Sequence, residues 1–422
     1  MVSRRFLETI AKTFLDDSAK ETQQEIMPSS SVAKADEALK NLTVQEIQKG
    51  ATTLPKGAKD MSAHKFWSTQ PVPRNDDTSE IKEGPIEPED PARVPKEPYP
   101  LIDGFEWVTM DLTDKKEIDD VYQLLYNNYV EDLEAMFRFN YSPSFLNWAL
   151  KSPGWKKEWH VGIRATQSRK LLAFISAVPM RLRIKTKTLK CAEVNFLCVH
   201  KKLRAKRMAP VLIREVTRRV NLVSTWQAIY TAGVYLPTPV STCRYYHRSL
   251  NWQKLVDVGF SQCPSNSTPA RQLLKFKLPS APLLNGVRPM KRADITAVNS
   301  LLKKYLDTMQ LAQEFDEEEF SHWMLDEETP EAEKVIFPYV VETNGKITDF
   351  FSFYRIESTV IGNAKHDTLR CAYLFYYATS TVSDKEEDKA GLKKRLNELI
   401  HDALILSKKV WKLSSSRYVC LC

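Results

Sequence analysis

"EVNFLCVHKKLRAKRMAPVLIREVTRRVNL", residues 193–222, carries the passage on which the fold turns. Its opening is apolar and β-rich, and predicts a buried strand over 194–200. Lys201, Lys202, Arg204, Lys206 and Arg207 follow within seven residues. Beyond them Val211, Leu212, Val216 and Val220 are spaced for one face of a helix laid on a sheet. Pro210 falls early in that helix, where a missing N–H removes no intrahelical bond. Strand, cationic loop and helix start together bring backbone N–H groups, the positive helix end and side-chain cations to one place, which favours a bound anion. Two other readings compete: a solvated basic turn, and a nucleic-acid stripe continued along Arg214, Arg218 and Arg219. No stacking aromatics are interleaved with these cations, which counts against the stripe.

Composition sets the outer limits. A chain of 422 residues is long enough for two domains. Its 61 Lys+Arg against 53 Asp+Glu leave +8, a mild excess that suits phosphate-bearing partners without indicating nucleic acid. Seven cysteines without a CxxC pair, and in odd number, argue against a secreted disulfide framework and for a reducing cytoplasm. No apolar run approaches the roughly 18 residues that a transmembrane helix needs. Phe6, Ile10 and Phe14 are helically spaced, but Glu8, Asp16 and Asp17 are foreign to a transit peptide, so a short surface helix is expected.

The chain divides by composition. Residues 1–60 are expected to be mobile. Residues 61–100 are proline-rich, and their "HKFWSTQPVP" island predicts an extended arm that docks its aromatic pair on the folded body. Residues 101–278 read as a first compact domain, with a helix over 119–129 and strands over 159–164, 171–178, 182–186 and 194–200. Residues 279–409 repeat the style, with helices over 294–309, 317–325 and 392–406 and strands over 339–342, 348–354 and 369–377. Asn344-Gly345 suits a type I′ hairpin turn. Two α+β units in series suggest an internal duplication, although no residue-level repeat is visible.

Arg204-x-x-Arg207-x-Ala209 resembles the acyl-CoA pyrophosphate loop of acetyltransferase-like folds, with arginine where that loop carries its first glycine. The quoted stretch, together with "FWSTQPVP", "YVEDLEAMFRFNYSP", "PGW", "YTAGVYLPTPVSTCRYYHRSLN" and "HWM", resembles the N-myristoyltransferase (glycylpeptide N-tetradecanoyltransferase) family in continuous order over residues 44–409. The resemblance implies an α+β fold of two tandem acetyltransferase-like (GNAT-like) units around mixed sheets. It also implies transfer of myristate from myristoyl-CoA to an N-terminal glycine, with the acyl-CoA as substrate and neither metal nor redox cofactor. The backbone amides of Phe196 and Leu197 are then the oxyanion hole. Acyl-CoA contacts fall on Lys65, Phe66, Trp67, Phe196, Leu197, Cys198, Val199, Arg204, Ala205, Arg207, Met208 and Ala209. Peptide contacts fall on Asp132, Glu134, Phe137, Phe139, Asn195, Thr231, Gly233, Tyr245 and His247. Implied partners are myristoyl-CoA and the glycine-initiated ends of nascent proteins, with a ribosome contact as a further option; a cytoplasmic monomer is expected.

The resemblance stops after "DALILSKK". The family places further strands and a C-terminal carboxylate base beyond this point, so residues 410–422 are expected to be a divergent tail and the second unit to be incomplete, with an exposed sheet edge. A catalytically impaired acyl-CoA-binding protein, or a truncated form without the carboxylate, is the alternative this leaves. The final "CLC" resembles a prenylation ending, but nothing GTPase-like precedes it.

Overall fold

The computed structural model describes residues 66–72, 84–132, 134–232, 239–243, 245–327, 329–381 and 389–410, with the backbone alone of 420–421. The helix expected near the N-terminus, Lys65 and Gly233 lie outside the described residues. The chain divides into a larger unit, with Pro91–Thr231 and Arg244–Cys422, and a smaller one, with Ile10–Asp90 and Ala232–Cys243. In the smaller unit Trp67–Thr69 make a 3-10 turn. There the Thr69 hydroxyl donates to the Phe66 carbonyl (2.7 Å), and the Phe66 and Trp67 rings meet edge to face at 5.1 Å.

The larger unit runs through one order of elements twice. β1 (Phe105–Thr109), α1 (Lys115–Asn128), β2 (Phe137–Asn140), α2 (Pro143–Leu150), β3 (His160–Ala165), β4 (Leu171–Ile184), β5 (Lys187–Val199), α3 (Met208–Asn221) and β6 (Gln227–Tyr230) come first. A connection of β7 (Arg248–Ser249), α4 (Trp252–Asp257) and α5 (Pro269–Lys275) follows. Then come β8 (Val287–Pro289), α6 (Ile295–Leu306), β9 (Leu311–Glu314), α7 (Glu317–Met324), β10 (Ile336–Thr343), β11 (Lys346–Val360), β12 (Thr368–Thr379), α8 (Lys389–Val410) and β13 (Cys420–Leu421). The duplication that the sequence only suggests therefore resides in topology.

Each run lends a strand to the other. The first sheet has the order β1-β3-β4-β5-β6, and β9 pairs with the last four residues of β4 (Arg181↔Glu314 to Ile184↔Leu311). The second has the order β7-β13-β12-β11-β10-β8, and β2 pairs with the last four of β11 (Glu357↔Asn140 to Val360↔Phe137). Arginines on β4 fasten the borrowed strand. Arg181 reaches Asp316 and Glu319 at the start of α7, and Arg183 donates to the carbonyls of Leu306, the last residue of α6, and Met309 just beyond it. Acidic groups at a helix start and a cation at a helix end both match the helix dipole.

Strand lengths correct the sequence reading. The separate strands expected at 171–178 and 182–186 are one, β4, which runs through Pro179. Proline lacks the N–H that a central strand must donate. Pro179 is tolerated because β3 accompanies β4 only to Ser176 and β9 joins only at Arg181. The expected hairpin turn is present, with positive φ at Asn344 (50°) and Gly345 (74°). The segment expected to be a divergent tail supplies β13, which lies parallel to β12 at Cys371 and Ala372 and shields that part of the edge that the sequence reading left exposed.

Both sheets are covered on two faces. Leu124, Leu125 and Leu146 of α1 and α2 meet Phe174 and Val178 on one side of the first sheet, and Leu212, Val216 and Val220 of α3 meet Ile163 and Ile175 on the other. In the second sheet α6 and α7 bury Val298, Leu302 and Phe320 against Phe350, while α8 packs Leu399 and Ala403 against Phe351 and Phe353. The caps are visible in the sequence: Ser142 before Pro143 accepts from Phe145 N, and Asp316 with Glu319 makes a capping box.

α3 does not present the basic stripe that its sequence suggests. Glu215 is fully buried and binds Arg218 (2.7 Å) and Arg219 (2.8 Å). Burial alone raises this carboxyl, but the two guanidiniums hold it below the usual range. Arg218 also donates to the carbonyls of Pro95 and Lys96, tying the segment before β1 to the helix. Replacing Glu215 by alanine leaves a buried guanidinium without its counter-charge. The expected loss is about 3–5 kcal/mol, read from urea unfolding.

Candidate active site

The end of β5 is irregular. Phe174 pairs with Cys198 and Ser176 with Asn195, so two residues, Phe196 and Leu197, face the single Ile175. This is a β-bulge, which lifts an extra residue out of the ladder. Phe196 has φ +54°, a left-handed backbone uncommon in a non-glycine residue, although its ring is buried. β6 pairs with β5 only from Cys191 to Val194. Beyond Val194 the outer edge of β5 has no strand neighbour among the described residues.

The bulge sits in an aromatic wall. The Phe196 ring lies 5.9 Å from Tyr129 and meets Tyr141 edge-on at 5.1 Å; Tyr141 in turn packs on Phe139 and Phe145. Burial keeps both tyrosine hydroxyls neutral by raising their pKa far beyond the ordinary range. It also pushes the Cys198 thiol up to about 12, so this cysteine is not a thiolate nucleophile. Immediately before the bulge, Asn195 bonds the half-buried Glu193, whose carboxyl is raised by burial. Tyr376, whose hydroxyl donates to Gln313 (3.4 Å), feels the charge of Glu193.

β5 leads straight into the cationic loop. Lys201–Lys206 coil as a 3-10 turn, and Arg207 (φ +53°) turns the chain left-handed into α3. That conformation explains the glycine at this place in acetyltransferase-like loops, because glycine has no Cβ to strain. The loop's cations are not equivalent. Arg204 donates to the Asn128 carbonyl at the end of α1 (2.6 Å), and Lys201 pairs with Glu131 (2.7 Å), which also holds Arg138. Lys202, Lys206 and Arg207 are exposed, and their side chains make no hydrogen bond or ion pair among the described residues. Ala205 is exposed, Met208 buried, and Val199 and Ala209 partly so.

The residues expected on the peptide side form two groups. Phe139 joins the wall around Tyr141, whereas Phe137 is buried against Phe260 (5.8 Å), whose ring also meets His247 at 6.0 Å. Burial keeps the His247 pKa below the ordinary histidine value. Tyr245 is exposed, with Tyr373 at 6.4 Å. Asp132 is not a free acid: its Oδ1 accepts from Phe137 N (2.7 Å) and fixes the turn before β2, although burial still raises its pKa. Glu134 is exposed, as is Thr231 just past β6. Sequence reasoning missed Tyr129, Tyr141, Glu193 and Phe260; the first two flank the quoted acidic string, which was the available signal. Among the described residues no cluster of His, Cys, Asp and Glu could hold a metal ion.

Two family models match this chain: the N-terminal domain of myristoyl-CoA:protein N-myristoyltransferase at residues 85–243, and its C-terminal domain at 257–412. The chain belongs to the N-myristoyltransferase family. The glycylpeptide N-tetradecanoyltransferase of Neurospora crassa is 54% identical over 384 residues, covering 90% of this chain and 67% of its own length. That of Emericella nidulans is 55% identical, covering 89% and 76%. Saccharomyces cerevisiae N-myristoyltransferase, solved with bound myristoyl-CoA, superposes with a TM-score of 0.81 at 47% identity, over 85% of this chain and 81% of that one. The expected α+β fold of two acetyltransferase-like units is thus shared with a solved relative.

Because Arg207 occupies a left-handed position, Arg207→Gly should stabilise the fold by up to about 1 kcal/mol in urea titrations. Arg204→Ala should instead destabilise it, since it uncaps α1.

Proposed function

We propose that this chain transfers a myristoyl group from myristoyl-CoA to the N-terminal glycine amine of proteins, with the thioester carbonyl seated at the β5 bulge. The observation that carries the reading is the coincidence, on one strand, of a bulge at Phe196–Leu197, an open edge beyond Val194 and a cationic loop immediately after. Attack of the neutral amine puts negative charge on the carbonyl oxygen, and the amides of Phe196 and Leu197 are assigned to it. Collapse of the adduct forms the amide bond and breaks the C–S bond, and the proton shed by the nitrogen balances the CoA thiolate, which leaves as the thiol. Loss of one such donor typically costs about 10²- to 10³-fold in rate. The substrate amine, with an ordinary pKa of about 7.7–8.0, must lose a proton before attack.

Lys202 and Arg207, with Lys206 beside them, take the CoA phosphates together with the backbone of Ala205, Met208 and Ala209. Arg204 and Lys201 brace the loop against α1 instead. Lys65, Phe66 and Trp67 are assigned to the acyl-CoA as an arm, and Leu197, Cys198 and Val199 to its path along β5. Burial of the acyl chain, at about 0.8 kcal/mol per CH₂, supplies ample affinity. On the peptide side Asn195, Phe139, Tyr245 and His247 are assigned to the glycine-initiated segment, with Thr231 and Gly233 beside it. Glu134 is assigned to a basic residue further along, while Asp132 and Phe137 shape the pocket. We place acyl-CoA binding and the peptide contacts just named in residues 101–278, with 279–409 as the second, peptide-side domain, in a cytoplasmic monomer able to meet nascent chains at the ribosome. No helix among the described residues is long and apolar enough to cross a membrane.

The direct test incubates the chain with labelled myristoyl-CoA and a glycine-initiated peptide. Labelled peptide is expected, and an alanine-initiated peptide should stay unlabelled. Tight acyl-CoA binding without transfer would make it a binding protein. In calorimetric titrations with myristoyl-CoA, Lys202→Ala combined with Lys206→Ala and Arg207→Ala should weaken binding at least about tenfold, because charge-assisted hydrogen bonds contribute about 1.5–3 kcal/mol each. Unchanged affinity in the folded triple variant would return the loop to a solvated turn.

A further inference from the structure

We propose that Ser176 is a positioning residue for acyl transfer: its hydroxyl holds the peptide unit between Asn195 and Phe196 so that the Phe196 N–H points to the open edge of β5. The inference rests on the assignment of the Phe196 and Leu197 amides to the thioester oxygen.

Ser176 lies on β4 and is wholly buried, and its Oγ donates to the Asn195 carbonyl at 2.9 Å. In a trans peptide the carbonyl of one residue and the N–H of the next point in opposite directions. The Asn195 carbonyl is held toward β4, so the Phe196 N–H is directed away from it. That is the side on which β6 has left β5 after Val194. A bulge alone does not fix this direction. The extra residue removes ladder bonds that would otherwise lock the peptide, and Phe196 sits in a left-handed conformation that costs energy. A rotation of this one peptide unit would put a carbonyl where the developing oxyanion needs a donor. The serine hydroxyl is the bond that opposes the rotation.

The second run of elements supplies a comparison inside the same chain. β12 carries its own bulge, where Phe375 and Tyr376 face the single Ser352 of β11. Ser352 is again wholly buried, and its Oγ donates to the Tyr376 carbonyl (2.9 Å). There the hydroxyl also accepts the Tyr376 N–H (3.2 Å), which closes the bulge on itself. At the first bulge Ser176 binds the carbonyl and takes no amide in return among the described residues. Both bulges are thus pinned by a serine; at the second the hydroxyl also binds an amide, and at the first it does not.

The test uses the full chain with myristoyl-CoA carrying ¹³C at the thioester carbonyl. Difference infrared spectra of the bound acyl-CoA read the carbonyl stretch, and steady-state assays with a glycine-initiated peptide read kcat and KM. In the wild type, binding should lower the stretching frequency. Ser176→Ala should lose most of that shift and lower kcat by about 10- to 100-fold, the scale of a misaligned oxyanion donor. KM for the peptide should stay within about threefold, because Ser176 bonds the backbone carbonyl of Asn195 and not its side chain, and Ser176→Thr should restore both readouts. If Ser176→Ala does not fold, Ser176→Cys, of similar size but a weaker donor, should give an intermediate shift and an intermediate kcat. A folded alanine or cysteine variant with the full shift and full kcat overturns the proposal and leaves the oxyanion assignment standing. A wild type that shows no shift on binding, yet transfers myristate, overturns the oxyanion assignment and this proposal with it.

Discussion

Two four-residue strands hold the architecture in place. β9 completes the sheet of the first run and β2 that of the second, so neither half of the chain supplies all the strands of its own sheet. A long strand bordered on both sides cannot slide by one residue without turning its buried face to solvent. The exchange therefore fixes the register of β4 and β11, and through them the hairpin partners β5 and β12 that carry the bulges. Arg181 and Arg183 strengthen the junction on one side. On the other, the Trp148 carbonyl meets the His322 ring at 2.7 Å. The candidate site falls on β5, which is paired with β6 up to Val194 and has no outer strand neighbour beyond it among the described residues.

Much of this could be read from residues. The switch at 200–208 from strand to loop to helix and the Asn344-Gly345 turn rest on local chemistry, and each is found where the sequence puts it. The borrowed strands could not be read. "FRFN" and "LAQE" are too short for a periodicity, and their partners lie far along the chain. Pro179 misled for a related reason: a proline breaks a strand only if a neighbour needs its N–H, and that depends on where β3 ends and β9 begins. On α3 the arginines looked like a surface stripe although the correction was in the sequence. Glu215 stands three and four residues before Arg218 and Arg219, the spacing at which helical side chains meet.

At the candidate site, residue types were easier to foresee than their employment. The loop motif singles out Arg204 and Arg207 together, yet Arg204, with Lys201, meets the end of α1, and only geometry separates these two from the outward-facing three. Asp132 likewise looked like a recognition acid and proves to hold a turn. Nothing in the side chain of Phe196 announces a left-handed backbone, since conformations of this kind are imposed by surrounding structure rather than favoured by the residue.

The exchange of strands also bears on how the chain is made. During synthesis the edge of β4 around Ile184 waits for Leu311 to be polymerised, which at about 5–20 residues per second is a delay on the order of ten seconds. β2 waits longer still for the far end of β11. Throughout that interval the first half presents unpaired strand edges at β4 and β2, so its sheet is not completed as an independent domain on the ribosome. The late-synthesised half closes both sheets together, and a molecular chaperone that shields bare edges would find its client in the unfinished first half rather than in the complete chain.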